Sequence, residues 1–213
     1  MNKIIGSLAS IILLFLSVVV QAEDSHSHSQ SQSNAYTRII PAQPTQSVDK
    51  IEVLEVFWYG CSHCYDFEPY IKKWLATKPD DVDFRRMPGI FSKNWVPHAK
   101  AYFTAVKLGV LDKIHTPLFE AIHQDRKRVH SEETLKDFFV SKGIDGDEFT
   151  KVYNSSEIET KFKQAFVMGQ RYKLTGVPAV IINGKYMTSG SLAGSYDHLL
   201  KVIDDLVAKE RRE

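Results

Sequence analysis

The rhythm of apolar and polar positions changes several times along this chain, and each change marks an expected element. Residues 51–59 (IEVLEVFWY) form the densest run of β-branched and aromatic side chains and predict a buried strand. A shorter run over 36–40 predicts a strand ended by Pro41 and Pro44. From Ser62 the spacing switches. Phe67, Tyr70, Ile71 and Trp74 recur every three or four positions and predict a helix over 62–75. A Lys-Pro-Asp-Asp turn precedes a second strand over 82–87, so strand, helix and strand follow in the order of a βαβ unit. Residues 95–172 read as helix throughout. One segment covers 95–108 and stops at Gly109, and a second covers 112–123 with Pro117 as a local kink. A third is capped by Ser131 and stops at Gly143, a short fourth starts at Asp145 or Asp147, and a fifth runs from Ser155 or Ser156 to about Tyr172. Two short strands over 179–183 and 185–188 flank Asn183-Gly184, a strong hairpin signal. Residues 196–208 close the chain as an amphipathic helix with Leu199, Leu200, Ile203, Leu206 and Val207 on one side. Strands at both ends around a helical block predict an α/β fold whose single sheet is interrupted by an inserted all-helical subdomain. The expected parts are 36–94, the insertion 95–166, and 167–213.

The first 35 residues read differently. Lys3, the apolar run 11–20 and the small residues of Val20-Gln21-Ala22 predict a cleavable signal peptide over 1–22, and hence export. The run is short for a bilayer-spanning helix. Residues 23–35 are rich in Ser, Gln and His, have no apolar face and predict a disordered linker. At 43% apolar residues the rest can bury a real core. The formal charge is +1; without residues 1–22, which hold one Lys and no acid, it falls to zero. That balance gives no electrostatic case for a nucleic-acid partner.

The candidate chemistry lies in the two cysteines, Cys61 and Cys64. They are the only two in the chain. A loop this short yields little chain-entropy gain from a disulfide, so reactivity explains the pair better than stability. Cys61 falls between a strand and the helix after it, where unpaired N–H groups and the helix dipole favour a thiolate. His63 is placed to add positive charge or an N–H donor to that sulfur. Cys64, one turn in, is expected to be shielded and to act as the resolving thiol. A zinc site would need two more ligands at a recognisable spacing, and His26 with His28 alone do not supply a site, so no metal is expected. Glu55 shares a strand face with Val53 and Phe57, so desolvation should raise its pKa. Trp58 and Tyr59, on the same strand, are expected to be largely core.

The stretch VLEVFWYGCSHCYDFEP resembles the active-site region of DsbA-type thiol:disulfide oxidases of the thioredoxin superfamily. Pro69 falls inside the following helix, as in thioredoxin-like proteins. Thr175-Gly176-Val177-Pro178, followed by Asn183-Gly184-Lys185-Tyr186, resembles the family's cis-proline loop and hairpin, and LGVLDKIHTPLFEAI reads like the core of its helical insertion. The resemblance implies a thioredoxin-like fold, a central mixed sheet flanked by helices. It implies that Pro178 is cis and packs beside the dithiol, and that the backbone of Val177 pairs with bound peptide. It implies that Glu55 relays protons to the buried thiol. The family's lysine near that acid has no counterpart, since the neighbouring strand carries Arg85 and Arg86. The dipeptide between the cysteines is Ser-His where Pro-His is commonest, which bears on redox strength. The implied activity is the introduction of disulfides into unfolded or reduced exported proteins in the periplasm. No cofactor is implied beyond the Cys61–Cys64 disulfide, and a quinone-linked membrane protein of the DsbB type would reoxidise it. A reductase or isomerase of the same fold, and a peptide-binding chaperone, are the alternative readings.

Overall fold

The computed structural model describes residues 35–213; the expected signal peptide and all but the last residue of the expected linker lie outside them. Ala35, counted in that linker, is buried, and its carbonyl accepts the Thr188 hydroxyl at 2.7 Å. That contact anchors the entry to the first strand.

Five strands form one mixed sheet in the order β1-β5-β4-β2-β3, with β1 (Tyr36–Arg38), β2 (Ile51–Phe57), β3 (Val82–Pro88), β4 (Ala179–Ile182) and β5 (Tyr186–Ser189). β2 and β3 are parallel, joined by α1 (Ser62–Leu75) in the expected βαβ unit; β4 and β5 are antiparallel to their neighbours. β2 is an inner strand between β4 and β3 with residues packed on both of its faces, which is why its sequence is an almost unbroken apolar run. Val53 belongs to a cluster with Phe67 and Ile71 of α1, while Leu54 and Val56 pack on the opposite face with Ile181 and Ala165.

Between β3 and β4 stand α2 (Val96–Lys107, after a 3₁₀ turn Lys93–Trp95), α3 (Leu111–His123), α4 (Glu132–Ser141), α5 (Gly146–Tyr153) and α6 (Ser156–Arg171). The capping serine of α4 and the choice of Asp145 and Ser155 as caps follow from side chains that accept the free N–H groups of the first turn. Pro117 is accommodated inside an unbroken α3. Phe119, Leu118, Leu135, Phe139 and Phe149 fill the core of this block, which continues to Phe57 at the end of β2 and to Tyr59 just beyond it. The helices thus roof the C-terminal end of β2. α6 is continuous through position 166, where the insertion was expected to end, and its Ala165 packs on the sheet.

A one-turn helix, α7 (Gly190–Ala193), not anticipated from the sequence, leads to α8 (Tyr196–Glu210). α8 runs two residues beyond its expected end because the buried Glu210 accepts from Asn183 Nδ2 at 2.5 Å and from Lys185 Nζ at 2.8 Å. Asn183 and Gly184 both have positive φ in a three-residue loop between the paired Ile182 and Tyr186, and a Cβ on Gly184 would lie 2.0 Å from the Gln43 carbonyl oxygen.

Candidate active site

β2 ends at Phe57, two residues short of the expected limit. The chain must turn to start α1, and Cys61 N–H donates to the Trp58 carbonyl at 3.0 Å across Trp58-Tyr59-Gly60. Cys61 is the N-cap of α1, with extended backbone, and its Sγ accepts the Cys64 N–H at 3.3 Å. Its own S–H donates to the Val177 carbonyl at 3.5 Å. Both cysteines are free thiols in unlike surroundings: Cys61 is partly exposed and Cys64 fully buried. The Cys64 S–H donated to the Cys61 sulfur is the largest influence on Cys61. Partial burial opposes it, the Cys64 and His63 backbone amides and the His63 charge add to it, and the pKa falls to about 6. Burial pushes the Cys64 thiol far up. One sulfur therefore favours the anion and the other the proton.

The His63 side chain is three-quarters exposed and lies 4.0 Å from Asp66, making no hydrogen bond to Cys61 Sγ. Its part in the site is charge and its backbone N–H; the side-chain donor expected from the sequence is supplied by Cys64. The Val177–Pro178 peptide is cis. These two residues, with His63, Thr175, Leu192 and Tyr196, line a groove of about 620 Å³ beside the dithiol. Tyr196 donates its hydroxyl to the His63 carbonyl at 2.9 Å, tying the start of α8 to the first turn of α1. Tyr59 is core, as expected. Trp58 is only partly buried, and its indole stacks on Trp95 at 4.0 Å with 6° between the planes.

Beneath the cysteines lies a buried polar chain that sequence reading found only at one end. Glu55 is fully buried; desolvation raises its pKa to about 7 against the pull of Arg86, which donates from Nε to Oε2 at 2.8 Å. Its other oxygen, Oε1, is buried without a hydrogen-bond partner. The β2–β3 register sets Glu55 directly beside Arg86, so an arginine occupies the place beside the acid for which no lysine was found. Arg86 Nη2 also reaches Glu68 of α1 at 3.3 Å, and Glu68 Oε1 accepts from His115 Nε2 of α3 at 3.1 Å. His115 Nδ1 meets the Tyr59 hydroxyl at 3.0 Å. Burial works against the charge on Glu68, but His115 and Arg86 overcome it and hold its pKa below the usual value; burial lowers that of His115. Glu68 has a local signal, one helical turn beyond Cys64 on the same face of α1. His115 and Arg86 have none. Among the described residues no group of three or more His, Cys, Asp or Glu is arranged to hold a metal ion. No helix among them is long and apolar enough to cross a membrane.

Comparison with known proteins adds an independent line. The family described as the DSBA-like thioredoxin domain matches residues 86–203. A thiol:disulfide interchange protein DsbA of Azotobacter vinelandii is 38% identical over 191 residues, covering 90% of this chain and 89% of that protein. The protein of the same description from Pseudomonas aeruginosa PAO1 is 36% identical over 210 residues, covering 99% and 97%. The crystal structure of Pseudomonas aeruginosa DsbA superposes with a TM-score of 0.80 at 39% identity, over 84% of this chain and 94% of that one. The oxidoreductase DsbA from Xylella fastidiosa gives 0.78 at 33%, over 84% and 96%.

Proposed function

The chain belongs to the DsbA family of disulfide-forming thiol:disulfide oxidoreductases, and from that premise we propose how its own residues carry the reaction. Cys61 is the sulfur that exchanges with substrate and Cys64 the one that resolves. The observation that carries this assignment is the contrast between a partly exposed sulfur with a pKa lowered to about 6 and a fully buried one pushed up. In the oxidised protein a substrate thiolate attacks Cys61 Sγ, the Cys61–Cys64 bond breaks, and its electron pair goes to Cys64, which takes up a proton. A second substrate thiolate then attacks the substrate sulfur of the mixed disulfide and expels Cys61 as a stabilised thiolate. The substrate loses two electrons, the dithiol gains them, and no other redox group is needed.

The remaining residues serve these two steps. His63 adds positive charge near Cys61. An extended substrate segment lies in the groove and pairs with the backbone of Val177 beside Pro178, whose carbonyl neighbour already accepts from Cys61. Glu55, near neutrality in proton affinity and with a bare Oε1, exchanges the proton that Cys64 gains or loses. The first 22 residues direct export to the periplasm, 23–34 act as a spacer, and the helical block inserted from 95 onward roofs the site. Substrates are reduced or unfolded exported proteins, and a membrane quinone reductase of the DsbB type returns the dithiol to the disulfide.

The test is a pair of single variants offered a one-cysteine peptide carried as its mixed disulfide with thionitrobenzoate, so that the attacking protein thiolate bonds to the peptide sulfur and thionitrobenzoate leaves. Cys64→Ser should accumulate a mixed disulfide through Cys61, and Cys61→Ser should form none. A stable adduct on Cys64 in the Cys61→Ser protein would reverse the assignment.

A further inference from the structure

The buried chain beneath the dithiol is lopsided. Arg86 lies between two carboxylates but sits closer to Glu55, at 2.8 Å, than to Glu68, whose oxygens are 3.3 and 3.5 Å from Nη2. Glu68 has a second donor and Glu55 has none. That donor is His115, whose side chain is almost fully buried. A carboxylate only accepts, so the hydrogen is on His115 Nε2, and Nδ1 is left to accept the Tyr59 hydroxyl at 3.0 Å. The ring has one proton, and both of its nitrogens are engaged.

We propose that His115 is a positioning residue for the dithiol reaction: by occupying Glu68 it keeps Arg86 committed to Glu55, and so sets how readily Glu55 exchanges a proton with Cys64. This rests on the role given to Glu55 above. Facing His115 are Tyr59 from the turn after β2, Glu68 from α1, Arg86 from β3 and Tyr102 from α2, with Phe57 and Phe119 completing the enclosure. Glu55 feels Arg86 and Glu68 directly, and its charge reaches Cys64, Tyr59 and Tyr102. Among these groups His115 is the one that fixes a carboxylate without being charged itself. When that hold is lost, a desolvated Glu68 must satisfy its charge from Arg86 alone, and the guanidinium is drawn away from Glu55. An unneutralised Glu55 binds its proton more tightly.

The experiment reads the Glu55 carboxyl by ¹³C NMR against pH in the folded, full-length mature protein. His115→Phe keeps an aromatic ring and removes both hydrogen bonds; the Glu55 midpoint should rise by about one unit, the tenfold change expected from weakening one charge-assisted hydrogen bond. His115→Gln keeps an N–H for Glu68 and an oxygen for Tyr59, and should return the midpoint to the wild-type value. Glu68→Gln removes the competing anion and should move the midpoint down, giving a reading with opposite sign if Phe at 115 prevents folding. The pH limb of Cys64 release in peptide exchange should follow the NMR midpoint in every variant. An unchanged or lowered midpoint in His115→Phe, equal shifts in Phe and Gln, or a raised midpoint in Glu68→Gln overturns the proposal. The NMR titration needs no substrate. Variants that show these shifts, in a protein whose wild type fails to oxidise peptide, would therefore refute the functional reading and leave standing only the hold of His115 on Glu68, Arg86 and Glu55.

Discussion

Burying Glu55 should leave a signature in the stability of the fold, with a sign opposite to that of most carboxylates. Its pKa is raised from 4.5 to about 7 by desolvation, so between those values the folded state holds a proton that the unfolded chain has released. Stability from this group is therefore full below pH 4.5 and declines as pH rises through 7. The shift of about 2.5 units, at about 1.36 kcal/mol each, corresponds to about 3 kcal/mol. Other groups run the other way in neighbouring windows. His98 is buried, its pKa is lowered to about 4, and it gains stability as pH rises to its unfolded value. Cys61, lowered to about 6, gains stability from there to its unfolded value. The clean measurement is thus a difference. In a Cys61→Ser, Cys64→Ser background, the Glu55 protein and its Glu55→Gln counterpart are unfolded in urea from pH 4 to 8.5. The loss of the Arg86 partner in the Gln protein adds a nearly constant offset. On top of it, the Glu55 protein should lose about 3 kcal/mol relative to the Gln protein between pH 4.5 and 8, or about 6–12 °C in Tm for a domain of this size. Two parallel stability curves would refute the claim that Glu55 is desolvated in the folded state.

Three further outcomes follow from single contacts. Cys64→Ala removes the S–H that most favours the Cys61 thiolate, and the midpoint for iodoacetamide alkylation of Cys61 should rise from about 6 by about one unit; an unchanged midpoint would leave the backbone amides and His63 as the sole cause. Gly60→Ala puts a Cβ 2.4 Å from the Trp58 ring, so the Trp58–Trp95 stack must open, with a shifted tryptophan emission and a loss of about 1–3 kcal/mol in urea unfolding. Gly184→Ala combines positive φ with a clash on the Gln43 carbonyl and should cost at least about 1 kcal/mol, checked by Tm, with peptide oxidation at the distant dithiol unaffected in rate.

What could be read in the sequence was whatever local order dictates. The change of period at Ser62 marked a strand feeding a helix, and this alone put Cys61 at a helix N-terminus with Cys64 one turn inside. The dense apolar run around Glu55 marked it for burial, and Asn183-Gly184 could hardly be anything but a hairpin. The tertiary structure decided which charges meet. Arg86 reaches Glu55 because β2 and β3 pair in one parallel register, and Glu68 meets His115 because α3 packs over α1. Those partners are 31 and 47 positions apart in the chain. A periodicity of two or 3.6 residues says which side of its own element a residue faces, never what faces it from another. The same limit explains His63, which the sequence set beside the sulfur and the fold turned outward to Asp66, leaving Cys64 and backbone amides to hold most of the charge and His63 the smallest share.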